Sequence, residues 1–143
     1  MQRFTSALAE AFLATTYVIR TGAAELFVRP NQKSTDIDRL LSRLKARTAV
    51  FITAWNPYSR SLSRMANSDR HRRLKLLMRR RRLRFLEGEG RGEIGDWPPE
   101  ESLFVVGVSR EMANALGREW HQNAIVFVEL GRTAELVMLR RVE

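Results

Sequence analysis

Ala49-Val50-Phe51-Ile52-Thr53-Ala54, followed by Trp55-Asn56-Pro57, is the stretch on which the fold turns. It is a short, almost continuously apolar run with a polar loop directly behind it. A run of this kind reads as a β-strand covered on both faces. Such a strand needs a layer of structure above and below, and the sequence on either side supplies helices.

Toward the N-terminus, Ser34 or Thr35 caps a helix whose Ile37, Leu40, Leu41 and Leu44 recur at helical spacing. Before it, Tyr17–Arg20 and Glu25–Arg29 flank a turn at Gly22 and read as a hairpin stopped by Pro30-Asn31. Residues 3–14 suit a short amphipathic helix with Leu8, Ala11 and Phe12 on one side. Toward the C-terminus, the loop Trp55–Leu62 leads into a basic helix capped by Ser61 or Ser63. A short strand, Leu83–Leu86, then gives way to Glu87-Gly88-Glu89-Gly90-Arg91-Gly92, which reads as an irregular loop ending near Trp97-Pro98-Pro99. Ser102–Val108 is a second buried strand, and Ser109 caps a helix carrying Met112, Ala113, Leu116 and Trp120. Asn123–Glu129 and Ala134–Leu139 form two last strands about a turn at Gly131. The expectation is an α/β (α+β) fold in one domain, 1–143, with an N-terminal helix over 1–14 and a core over 15–143. A mixed sheet of about five to seven strands, flanked by three to four helices, satisfies this order.

Composition narrows the function classes. A chain of 143 residues, 44% hydrophobic and 29% charged, has globular values. Without cysteine it has no disulfide, no thiolate nucleophile and no cysteine-ligated zinc. With only His71 and His121, no metal site is expected, and no cofactor motif stands out. The sequence Gly88-Glu89-Gly90-Arg91-Gly92 lacks the spacing and the following lysine of a phosphate-binding loop. No apolar run approaches the ~20 residues of a membrane span, and Glu10 interrupts the N-terminal apolar stretch as it would not in a signal peptide. The expected location is cytoplasmic.

Charge is concentrated. Nine of the fifteen residues from Arg70 to Arg84 are Arg or Lys, none is acidic, and the net charge is +9. Without this segment 16 basic residues stand against 16 acidic ones. A basic helix of this kind suits nucleic acid or an acidic protein surface, with Arg72, Lys75, Arg79, Arg80 and Arg82 on its outward side. The 22 Arg against 3 Lys point equally to codon bias, so the clustering is the informative part.

Some polar residues fall where apolar ones belong. At 100° per residue, Leu74, Leu77 and Met78 mark the inner face of the basic helix, and Asn67 and Arg70 share it. A buried Arg requires a carboxylate, here Glu89, Glu100 or Glu101, or a bound anion. The loop behind the central strand brings Thr53 and Asn56 as hydrogen-bonding groups and Trp55 as a stacking face, at the strand end where ligands gather in α/β sheets. Trp97 is a second stacking candidate. Glu100 and Glu101 place two carboxylates at the mouth of a buried strand, where one acts as a base if its pKa rises. Ser102, Gln122 and Asn123 lie at the same rim.

These residues carry a resemblance. Ile52-Thr53-Ala54-Trp55-Asn56-Pro57, Asn67, Trp97-Pro98-Pro99-Glu100-Glu101-Ser102, Gly107-Val108-Ser109 and Gln122-Asn123-Ala124-Ile125 together resemble a family of short bacterial proteins classed only as a domain of unknown function. The similarity runs from about Tyr17 to Leu139. It implies that Thr53, Asn56, Asn67, Glu101, Ser102, Gln122 and Asn123 are the positions the family marks. Ala66 stands where the family tends to have an acid, and Trp120-His121 where it tends to have a small aromatic-glycine pair. His121 is accordingly a poor candidate base, and the arginine run is outside the resemblance.

The expected function is a binding module whose polar pocket takes a small anionic or nucleotide-like ligand, with Arg70 supplying charge and Asn56, Asn67 and Gln122 orientation. The alternatives are nucleic-acid binding through residues 70–84 and a hydrolase or transferase using Glu100 or Glu101.

Overall fold

Two helical crossovers, each passing over one strand, generate the sheet. The structure is a computed structural model and describes residues 2–93 and 98–140. The first half holds α1 (Gln2–Leu13), β1 (Thr16–Arg20), β2 (Glu25–Val28), α2 (Thr35–Arg43) and β3 (Thr48–Ile52). The second holds α3 (Arg64–Arg80), β4 (Arg84–Arg91), β5 (Glu100–Val106), α4 (Arg110–Glu119), β6 (Ala124–Glu129) and β7 (Glu135–Met138). The strands form one seven-stranded sheet in the order β2-β1-β4-β5-β3-β6-β7.

The α/β class and the succession of elements are those expected, but the pairing is not mixed: every neighbouring pair is antiparallel. Helix α3 carries the chain from β3 to β4 and α4 from β5 to β6, as crossovers between parallel strands do. Each skips one position, and an antiparallel strand fills it: β5 lies between β3 and β4, and β3 between β5 and β6. Parallel strands exist in the sheet but never touch.

The glycine-rich stretch also differs from expectation. It continues β4 to Arg91, pairing with β1 on one side and β5 on the other. The glycine at 88 is needed because a Cβ there would stand 2.0 Å from the Val18 carbonyl oxygen. Trp97 lies outside the described residues.

Serine caps set the helix starts. Ser34, Ser63 and Ser109 accept hydrogen bonds from the backbone N–H of Ile37, Ala66 and Met112. Alternate residues of β3 then feed two cores. Val50 and Ile52 pack with Leu74, Met78 and Leu116 beneath α3 and α4. Ala49 and Phe51 pack with Ile37, Leu41 and Phe104 beneath α2. Helix α1 covers the remainder of that second face, near the ends of β3 (Ile52), β5 (Glu100) and β6 (Ala124). Among the described residues no helix is long and apolar enough to cross a membrane.

Candidate functional site

Between α1 and the sheet lies a cavity of about 370 Å³. Its apolar side is made by Leu8, Ala11 and Phe12 of α1 against Phe51 and Val126. Its polar side is made by Thr53, Asn56, Ser59, Glu100, Ser102 and Gln122. Five residues singled out from sequence therefore meet at one cavity: Thr53, Asn56, Glu100, Ser102 and Gln122.

The wall is built by a strained loop. Asn56, Tyr58 and Ser59 all have left-handed backbone, with φ of 47°, 53° and 61°. Residues held in this region, away from glycine, cost free energy and concentrate at functional sites. Asn56 tolerates it best and precedes Pro57, whose ring disfavours that geometry further. The loop is held by a reciprocal amide pair: Asn56 N–H donates to Asn67 Oδ1 (2.9 Å) and Asn67 Nδ2 donates to Asn56 Oδ1 (2.8 Å). Asn56 Nδ2 in turn donates to Glu100 Oε2 at 2.8 Å. Thr53 Oγ1 donates to the Glu101 carbonyl (2.6 Å) and accepts from Trp55 N–H (3.0 Å). Thr53, Asn56 and Asn67 thus spend their hydrogen bonds on the scaffold.

Other wall groups are left open. The Ser102 hydroxyl is 3% exposed and has no partner among the described residues. Gln122 uses Nε2 on the carbonyls of Trp55 and Trp120, both at 3.1 Å, while its Oε1 has no partner there. Asn123 sits behind the wall, donating to Ser59 Oγ at 2.9 Å, and its buried Oδ1 is unpartnered. The Tyr17 phenol, missed in the sequence reading, also lines the cavity. Burial, then the nearby Glu100 charge, pushes its pKa well above the ordinary tyrosine value.

Arg70 takes a different part from the one expected. It makes no ion pair with Glu89, Glu100 or Glu101. Its Nε donates to the Ala54 carbonyl and its Nη2 to the Trp120 carbonyl (3.0 Å), with the guanidinium 5.5 Å from the Trp120 ring centroid. Main-chain oxygens at the end of β3 and of α4 satisfy it, so it fastens these two segments and does not line the cavity. Burial, and secondarily Arg73, lowers its pKa. Trp55 is buried and likewise does not line the cavity, so it offers no stacking face there.

Glu100 and Glu101 do not form a pair, because consecutive strand residues point to opposite faces. Glu100 lines the cavity, whereas Glu101 Oε2 lies 3.8 Å from His71 Nε2 across the sheet. His71 is 2% exposed and approaches Glu87 Oε1 at 3.2 Å. The spacing 67, 71, 74, 78 on α3 is the signal that would have placed His71 inward. His121 is exposed, its ring 5.1 Å from that of Tyr58. No group of three or more His, Asp or Glu close enough to hold a metal occurs among the described residues.

The outward stripe of α3 is partly neutralised. Arg72 and Arg73 pair with Asp69, Lys75 lies 3.4 Å from Glu87, and Arg79 stacks 5.5 Å from the Phe85 ring centroid. Arg80 and Arg82 are exposed without an ion pair among the described residues.

Residues 52–125, from the end of β3 to the start of β6, match the family described as protein of unknown function (DUF3293). The chain belongs to this family. The matched segment is narrower than the Tyr17–Leu139 resemblance. It holds Thr53, Asn56, Asn67, Glu100, Ser102, Gln122 and Asn123, while Tyr17 and the roof, α1, fall outside the DUF3293 match. No curated protein and no solved structure matches the chain.

Proposed function

We propose that the protein is a small-molecule binding module, and that the ligand has an apolar body and a hydrogen-bonding head. The observation that carries this reading is the Ser102 hydroxyl, buried in the cavity wall without a partner among the described residues. A buried hydroxyl left unpaired is costly, and a ligand group that bonds it removes the cost. The volume of about 370 Å³ is in the range of small-ligand sites. The apolar face of α1 suits the body, and Ser102, Tyr17 and Gln122 Oε1 suit the head.

The geometry favours an uncharged head over the anion expected from sequence. The lining contains the carboxylate of Glu100 and, among the described residues, no Lys, Arg or His. An anion there would face like charge in a poorly hydrated space. Binding is preferred to catalysis on similar grounds. A nucleophilic serine needs a base within hydrogen-bond reach, and Ser102 has none among the described residues.

The test is Ser102→Ala. Removing an unpaired buried hydroxyl raises the stability of the unliganded protein by about 1 kcal/mol, read by urea denaturation. The same variant loses the thermal stabilisation that the parent shows with uncharged amphiphiles in a ligand panel. A panel that stabilises the parent only through nucleotides or other anions, or that stabilises Ser102→Ala equally, overturns the reading.

A further inference from the structure

The opposite end of the sheet gathers six cations that form no ion pair among the described residues. There the turn from α2 to β3 and the turn from α3 to β4 lie side by side. Arg84, Val106 and Ala49 fall in one row across β4, β5 and β3. Arg84 Nη1 donates to the Leu44 carbonyl at 2.7 Å, and Gly107 N–H to the Thr48 carbonyl at 2.8 Å, which closes this end. Arg43, Lys45, Arg47, Arg80, Arg82 and Arg84 stand on or beside the two turns, and all are exposed. None of the six forms an ion pair among the described residues, although ten other Arg and Lys side chains do. The neighbouring Arg81 and Arg110 are among the paired, with Glu119 and Glu135.

A plain explanation covers part of this. Arg43 and Arg80 lie in the last turns of α2 and α3, where cations complement the helix dipole. Lys45, Arg47, Arg82 and Arg84 lie beyond the helices. Lys45 and Arg82, moreover, have left-handed backbone, with φ of 55° and 58°. That is the position after a helix where glycine is the default residue. A long cation is kept at both turns against the backbone's preference.

We infer that this end binds the phosphodiester backbone of nucleic acid without regard to sequence. Guanidinium groups match phosphate oxygens in a fixed fork, and several unneutralised cations on one end give the required field. Among the described residues the exposed large apolar side chains are Leu13, Phe27, Tyr58, Met65, Leu76 and Met112. None belongs to the two turns, so the apolar anchors of a membrane-surface site and the aromatic platforms that stack bases are both missing from them.

The test is fluorescence anisotropy with mixed-sequence duplex DNA and single-stranded RNA, and co-sedimentation with phosphatidylserine vesicles as a third arm. If about six phosphates are contacted, Kd on duplex DNA rises on the order of 10³-fold between about 50 and 200 mM salt. Lys45→Gly/Arg82→Gly removes two charges and relieves two strained turns. It keeps or raises the melting temperature, while the slope of log Kd against log salt falls by about two. Binding confined to the DNA or to the RNA arm names the polymer and supports the inference. No nucleic-acid binding at the lower salt, a double variant that binds as the parent does, or binding to vesicles alone overturns it.

Discussion

Asn67 illustrates how a single side chain on a helix defines a loop on the far side of a strand. Its amide satisfies both the N–H and the side-chain oxygen of Asn56, whose left-handed backbone starts the turn. Asn67→Ala leaves the buried Asn56 N–H unpaired, while Asn56 Oδ1 keeps the Leu62 N–H at 3.0 Å, at a cost of about 1–3 kcal/mol. Chemical denaturation reads that loss, and ligand affinity falls with it, because Asn56 also positions Glu100. Glu87 gives a pH-dependent counterpart. Burial pushes its pKa up, but the hydrogen bond with His71 and the charge of Lys75 outweigh it and hold the pKa below the ordinary value. A carboxyl depressed on folding stabilises above its unfolded pKa, and that contribution is lost as pH falls through the lower, folded value. Glu87→Gln therefore flattens the acid limb of stability against pH below about pH 4, and a denaturation series over pH 2–6 checks it. An unchanged acid limb would assign the effect elsewhere. Asn67 was legible from helical periodicity alone. His71 was equally periodic, yet one aromatic among so many arginines reads as part of a solvated face until Glu87 is seen across the gap.

At the scale of elements, β4 is the instructive case. Its sequence Glu87-Gly88-Glu89-Gly90-Arg91 has low strand propensity, with glycines between its charged residues, so a loop is the natural reading. Tertiary pairing overrides propensity, since both neighbours, β1 and β5, need a partner there and only a residue without Cβ admits the Val18 carbonyl. Gly88→Ala is expected to destabilise by about 3 kcal/mol, as an overpacked core site does. Loss of amide protection in β1 and the 88–91 segment, with β3 protection retained, identifies the cause as local. The three helix starts, by contrast, were legible to within a residue or two, Ser109 outright and Ser34 and Ser63 each as one of two candidates, because capping is a short-range interaction. Helix α3 lies between these cases. Its apolar face was readable, but Arg70 was not, because two backbone carbonyls replace the carboxylate that a buried cation calls for.

For the molecule as a whole, hydrophobic pattern was enough to give the succession of elements, because each element carries its own period. It was not enough to give adjacency, since a crossover that skips a strand has the same local sequence as one that does not. The candidate site was half legible for a similar reason. Thr53, Asn56, Ser102 and Gln122 stand out as polar residues at strand ends, whereas Leu8, Ala11, Phe12 and Tyr17 look like ordinary core until the roof is in place. That roof has a further consequence. Helix α1 joins no sheet and rests its apolar side over a hollow, so little packing beneath it opposes its release. Local opening of Leu8–Leu13 should cost less free energy than opening any strand, and an occupant of the hollow would supply the missing contact. On the proposed function, the first helix would then act as the chain's own gauge of occupancy, loose when empty and fastened when filled.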